Sequence, residues 1–180
     1  MNFKHTLYLL SFCLLVCSCN SKDNEQKDRL PETPRLFSLL DPQDTGFDFT
    51  NAITNSKDFN IFKYRNFYNG GGVAIGDINN DGLADIYMTA NMGSNKLFLN
   101  KGNFKFEDIT DKAGVGGNKP WSTGVVMADV NGDGLLDIYV SNAGNMKGDN
   151  HDNDLYINNG DSTFTEKAAQ YNLAKSGFST

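Results

Sequence analysis

Residues 72–88 read GVAIGDINNDGLADIYM and residues 124–140 read GVVMADVNGDGLLDIYV. In each, an apolar run breaks into carboxylates, amides and glycine, then resumes at once as an apolar run. The first aspartates, Asp77 and Asp129, stand 52 residues apart. Counted from them, positions one, three, five, six and nine are Asp77, Asn79, Asp81, Gly82 and Asp85 in one copy. In the other they are Asp129, Asn131, Asp133, Gly134 and Asp137. Side-chain oxygens at alternating positions converge when a loop wraps one point, and glycine at six supplies the left-handed backbone of a sharp turn. The carbonyl of position seven, Leu83 or Leu135, adds a backbone oxygen. An all-oxygen set with three carboxylates calls for a hard divalent cation, and Ca²⁺ suits such a flexible cage better than Mg²⁺. Two structural Ca²⁺ sites are therefore expected, each pinning a hairpin. Position twelve is Met88 or Val140 rather than Glu, and strands rather than helices flank the loops, so these are not EF-hands. An Asx-rich turn without an ion is the plain alternative for one loop; two matched loops inside matched repeats argue for the ion.

The flanking sequence repeats as well. GVAIGDI alternates Val73 and Ile75 against Ala74 and Gly76, and ADIYMTA alternates Ile86 and Met88 against Tyr87 and Thr89. KLFLN (96–100) and FKFEDIT (104–110) complete four short strands, the last with Phe104 and Phe106 on one side. GVVMADV, LDIYVSN and DLYINNGDSTFTE repeat the order, with the connection after Asp137 six residues longer than that after Asp85. Four antiparallel strands at a period near 50 residues predict an all-β fold, a partial β-propeller of four-stranded blades. A β-sandwich is the rival, but it has no need of unit-to-unit likeness. The blades span about residues 66–118 and 119–176 within a repeat region 46–180. The closing GFST (177–180) resembles the WSTG that leads into the second blade, so a third blade is read as beginning and truncated. Two blades leave sheet edges open, which marks the chain as part of a longer protein.

With these residues in view, the pattern D-x-N-x-D-G-x-x-D between strands resembles the FG-GAP or VCBS repeat, represented by the integrin alpha propeller and by bacterial envelope proteins. YNGGGVAIGD, NKLFLNKG and FEDITDKAGV resemble the branch related to cartilage acidic protein, in which an ASPIC/UnbV segment often follows the propeller. The resemblance covers residues 46–180 and implies a ring of about seven blades with Ca²⁺ in the inter-strand loops. It fixes no activity.

The chain before the repeats has its own character. LYLLSFCLLV (7–16) behind Lys4 and His5 reads as an export signal over residues 1–18. Cys13, Cys17 and Cys19 all lie there, leaving none for disulfides further on. VCSC (16–19) resembles a bacterial lipobox, with Ser18 before Cys19 as the lipidated mature N-terminus, followed by a polar tether over residues 19–45. Acidic residues behind Cys19 resemble the surface-export signals of some Gram-negative lipoproteins, so the expected location is the outer membrane, held only through the lipid.

Formal charge is −6, from 22 acidic and 16 basic residues, which disfavours nucleic-acid binding. Eighteen glycines fit a turn-rich β protein. Catalytic candidates are scarce: the two histidines are His5 and His151, and no nucleophile–base set is apparent. The glycines of NGGGV (69–73) precede a strand rather than a helix, which favours close packing over phosphate binding. Trp121, Tyr64, Phe67 and Tyr68 are candidates for either a sugar-binding surface or core. The expected function is non-catalytic binding of a glycan or protein ligand. The alternative is part of a calcium-dependent polysaccharide lyase, which would need a base this segment does not supply.

Overall fold

The computed structural model describes residues 35–143 and 151–175. The export signal, Cys19, most of the tether and the GFST stub lie outside the described residues. The chain divides into two units, 1–39 and 40–180; the described part of the first, residues 35–39, carries no helix or strand. No helix among the described residues is long and apolar enough to cross a membrane.

The second unit is mostly β. Its elements in order are α1 (Pro42–Thr45), β1 (Val73–Gly76), β2 (Asp85–Met88), β3 (Lys96–Asn100), β4 (Phe106–Asp108), α2 (Thr110–Ala113), β5 (Ser122–Ala128), β6 (Asp137–Asn142), β7 (Asp154–Asn158) and β8 (Phe164–Glu166). β1 to β4 form one antiparallel sheet in sequence order, and β5 to β8 form a second in the same way. Neither sheet borrows a strand from the other. That separates the arrangement from a sandwich with Greek-key crossings and fits a chain of repeated sheets.

Register puts the alternating residues to use. Ala74 pairs with Tyr87 and Tyr87 with Leu97, giving the first sheet a face of Ala74, Tyr87, Leu97 and Leu99. Ile75 pairs with Ile86 and Ile86 with Phe98 on the opposite face. In the second sheet Met127 pairs with Ile138 and Ile138 with Tyr156. Tyr87, Leu97 and Leu99 of the first sheet meet Ile138, Val140 and Tyr156 of the second in one buried cluster, with Val125 and Met127 packed against it. Each fully buried side chain of this size contributes roughly 1.5–3 kcal/mol, so this inter-sheet layer is a large source of the unit's stability. Ile109, Ala113 and Val115, from the segment joining the sheets, complete it, and the buried Tyr87 hydroxyl donates to the Val115 carbonyl at 2.6 Å.

Glycines allow the sheets to meet. A Cβ on Gly76 would lie 2.6 Å from Leu136 Cδ1, and one on Gly72 would lie 2.7 Å from the Thr123 carbonyl oxygen. At Gly71 the gap to the Thr89 carbonyl would be 2.1 Å. Of the NGGGV tract, Gly72 thus serves the approach of the two sheets and Gly71 packs within the first repeat, while Gly70 has open space around it.

Two local expectations need correction, and one choice that the sequence left open is decided. Phe104 does not share a strand face with Phe106: it sits in the turn before β4 with φ +56° and is largely exposed. Tyr64, Phe67 and Trp121 form no open aromatic surface. They are buried with Ala143 and pack around Phe59, Tyr64 stacked on it at 19° and Phe67 and Trp121 edge-on, with the Trp121 ring centroid 4.9 Å away at 89°. Tyr68 alone of the four is exposed. The tether expected through residue 45 gives way by Pro42 to α1, in which Thr45 is buried.

Candidate metal centre

The two aspartate-rich loops join β1 to β2 and β5 to β6, and they are built alike to the level of single hydrogen bonds. Asp77 accepts from the backbone N–H of Asp81 at 3.1 Å and of Gly82 at 2.8 Å. Asp129 accepts from Asp133 at 3.2 Å and Gly134 at 2.9 Å, and also from Gly132 at 2.7 Å. The position-three amides accept from the position-five N–H: Asn79 at 3.2 Å and Asn131 at 2.9 Å. Position five in turn accepts from position seven, Asp81 from Leu83 and Asp133 from Leu135, both at 2.8 Å. These are Asx turns, in which a short polar side chain stands in for a backbone carbonyl. Gly82 at φ +84° and Gly134 at φ +85° take the left-handed conformation expected at position six.

Position nine behaves differently from the rest. Asp85 is 0% and Asp137 1% exposed, and each spends both oxygens on backbone donors. Asp85 accepts from Ile78 at 3.0 Å and from Asn100 at 2.8 Å; Asp137 accepts from Val130 at 3.0 Å and from Asn158 at 2.8 Å. Each carboxylate thus bolts the start of its loop to the end of the third strand of its sheet. Burial pushes the Asp85 carboxyl above its ordinary value; the amides of Asn100 and Ile78 pull it back, and the charges of Asp81 and Asp77 push it up further. Asp129 is solvent-facing and held low, chiefly by the Gly134 amide.

Sequence reading missed three recurrent partners. Asn100 and Asn158 donate side-chain N–H groups to the Ala84 and Leu136 carbonyls at 2.8 and 3.1 Å, and cap the following glycines at 2.9 Å. Asn95 and Asn153 accept from the backbone of Ala90 and Asn142, both at 2.9 Å. Position four, Asn80 or Gly132, is left-handed in both loops. Their signal was an asparagine or glycine at matched offsets in the two copies. The loops also touch: Asn80 Nδ2 donates to the Gly134 carbonyl at 3.2 Å, and Asn158 Nδ2 to the Ile78 carbonyl at 2.8 Å.

The donors are oxygens only, from Asp77, Asn79, Asp81 and Asp85 and from Asp129, Asn131, Asp133 and Asp137, a chemistry that suits Ca²⁺. A carboxylate oxygen that accepts one N–H keeps a second lone pair for an ion. The loops are nonetheless ordered by their own amides. Asn79 Nδ2 donates to Asp81 Oδ2 at 3.0 Å and Asn131 Nδ2 to Asp133 Oδ2 at 2.8 Å. Among the described residues no three His, Cys, Asp or Glu side chains stand together as a metal-holding group.

Beside the aromatic cluster lies a cleft of about 260 Å³ lined by Tyr64, Asn66, Asn69, the three glycines 70–72, Thr123 and Gly124, with no charged side chain in its wall. Next to it runs a buried polar chain. Asn95 Nδ2 donates to Ser122 Oγ at 3.2 Å, Ser122 Oγ to Asn142 Oδ1 at 2.9 Å, and Asn142 Nδ2 to Asp154 Oδ2 at 2.8 Å. Lys119 closes it on Asp154 at 2.7 Å.

A family model for the FG-GAP-like repeat matches residues 77–140, which contain both loops. Cartilage acidic protein 1 of Xenopus tropicalis is 42% identical over 78 residues, which is 43% of this chain and 12% of that protein. The Homo sapiens protein of that name is 34% identical over 110 residues, 61% of this chain and 16% of its own length. The Mus musculus protein is 40% identical over 73 residues, 41% of this chain and 11% of its own. The chain therefore matches only a small share of these relatives. Paired sheets, duplicated loops and sequence likeness agree: residues 77–140 match the FG-GAP-like repeat, in a chain similar to cartilage acidic protein 1.

Proposed function

We propose that this chain is part of a repeat-built β-propeller of about seven blades that serves as a binding or adhesion module. In this reading the loops at 77–85 and 129–137 each take one structural Ca²⁺, and the protein is held at the outer membrane of a Gram-negative cell through lipid on Cys19. The carrying observation is the matched hydrogen-bond frame of the two loops, with oxygen donors at the same positions on neighbouring sheets. Glycan or protein ligands, rather than nucleic acid, suit the negative charge and the uncharged cleft beside the first strands. The chain is read as non-catalytic, and the lyase alternative gains no specific support from the residues around the loops.

Calcium entry requires the Asn79–Asp81 and Asn131–Asp133 side-chain bonds to open, so that the side-chain oxygens of positions one, three and five turn onto the ion. Titration calorimetry should find one equivalent lost in Asp81→Ala and a second in Asp133→Ala. Saturation should raise stability by about 2.7 kcal/mol per site at one hundred times the dissociation constant. Wild-type stoichiometry in both variants would leave the loops as turns only. For the anchor, the mass of the mature N-terminus decides: an unmodified Cys19, or membrane retention of Cys19→Ala, rejects it.

A further inference from the structure

Residues 41–47 have the construction of 109–115. Each opens with a four-residue helix, α1 or α2, and ends it at a left-handed glycine, Gly46 at φ +73° and Gly114 at φ +74°. The glycine N–H returns to the first helical carbonyl in both, Pro42 or Thr110, and the last helical residue, Thr45 or Ala113, is buried. The residue after each glycine docks on the next sheet in the same place. Val115 lies in the cluster with Tyr156 and Phe164 of the second sheet. Phe47 packs on Phe98 and Phe106, the matching residues of the first, at ring-centroid distances of 4.4 and 5.4 Å. Lys105 secures the segment by donating to the Asp44 carbonyl. A looser counterpart comes after β8, with turns in place of the helix and Tyr171 exposed, but with Asn172 left-handed at φ +56° and Leu173 packed on Leu155 and Ile157. In 109–115 and in this counterpart the segment is the tail of the sheet that precedes it in the chain. Residues 41–47 are therefore a tail whose own sheet is not among the described residues.

The first sheet shows where that sheet belongs. Val125 and Met127 pack on the cluster between the sheets, Met127 against Gly76 of the first, while their counterparts Val73 and Ile75 are 52% and 65% exposed on the corresponding face. Asn158 donates to its own sheet at Leu136 and also back to the preceding loop at Ile78. Its counterpart Asn100 makes the first kind of bond, to Ala84, and not the second. An apolar face, a backward-reaching amide and a tail already in place are the three contacts of one inter-sheet seam, with one side filled in part.

We infer that the open face of the first sheet, Val73, Ile75, Ile86 and Met88, is the closing seam of the ring: it receives a four-stranded repeat from the same polypeptide that brings strands and an aspartate-rich loop but no tail, residues 41–47 serving as its tail. A second copy of this chain does not fit. Its second sheet carries its own tail, 167–173, which would compete with residues 41–47 for Phe98 and Phe106. This assignment rests on the repeat-module reading and adds where the ring closes.

The test uses the protein at its native length. Maleimide labelling of Ile75→Cys is compared with Lys101→Cys, in the β3–β4 turn at the outer rim, each read on the peptide containing the position. Ile75→Cys should react at least about tenfold more slowly, as a site reached only through local opening does. Equal rates overturn the proposal. A benzophenone amino acid at position 75 then identifies what covers it. An adduct within one chain, to a repeat carrying its own aspartate-rich loop, supports the seam. A product of doubled mass, an adduct only to residues 35–70, or an adduct to another protein overturns it. Neither readout needs ligand or calcium, so failure here leaves the calcium titration standing, and failure of that titration leaves this result interpretable.

Discussion

Asp85→Ala separates the two roles that position nine can have. The carboxylate is fully buried and receives the backbone N–H of Ile78 at 3.0 Å and of Asn100 at 2.8 Å. Truncation leaves both donors without a protein acceptor, next to an Ile78 that is 1% exposed. At about 1–3 kcal/mol for each buried donor left unmet, the loss is roughly 2–6 kcal/mol. Burial also raises the Asp85 pKa, so removing the charge returns part of its desolvation cost, and the lower half of that range is expected. For a domain of this size a loss of about 3 kcal/mol lowers Tm by roughly 6–12 °C. Asp85→Asn keeps one acceptor but turns an N–H towards a backbone N–H, and should fall between wild type and alanine. Asp77→Ala, at a half-buried position, should cost about 0.5–1.5 kcal/mol. The assay is urea or thermal unfolding in excess chelator. If Asp85→Ala stays within about 0.5 kcal/mol of wild type there and differs only once calcium is added, position nine acts through the metal alone and does not bolt loop to strand.

The packing and the charges set two more outcomes. Gly72→Ala should destabilise by about 1–3 kcal/mol because its Cβ would press on the Thr123 carbonyl of the second sheet, whereas Gly82→Ala, with open space around it, should lose about 1–2 kcal/mol through its left-handed φ alone; equal stability of Gly72→Ala and wild type would refute the close approach. Burial pushes the Asp108 carboxyl up, but the bonds from Lys96 at 2.7 Å and from Thr110 outweigh it and hold the folded-state value below the ordinary 3.8. Its contribution, about 0.2–1 kcal/mol for a half-exposed pair, is therefore present above that value and lost as pH falls through the lower folded one, and an Asp108→Asn variant with an unchanged acid limb would contradict it.

The strands were legible because alternation over four to six residues recurs at fixed offsets, and because tyrosine or isoleucine on one face leaves few choices of register. The donor types of the loops were legible for the same reason. What escaped were roles that share a spacing. A position-nine carboxylate that would hold an ion and one that receives two buried amides occupy the same place in the sequence, and only burial of Asp85 and Asp137 shows the second. Phe104 continues an alternating pattern, yet its left-handed φ places it in a turn. Tyr64, Phe67 and Trp121 are aromatic in either role, and only their burial shows that they are core. Residues 41–47 carry a single apolar anchor, Phe47, and no periodicity, so their kinship with 109–115 lies in backbone conformation.

The contact between the two loops bears on whether the repeats could trade places. Asn80 is left-handed and its side chain reaches the Gly134 carbonyl of the next loop, while the matching residue, Gly132, is equally left-handed but has nothing to extend. Both residues satisfy the turn, and only one grips a neighbour. A protein assembled from tandem copies of the second repeat would keep every turn and lose this grip at each junction; one assembled from the first would gain it at each. The order of the two units is thus written into one side chain, and near-identical loops are not interchangeable parts.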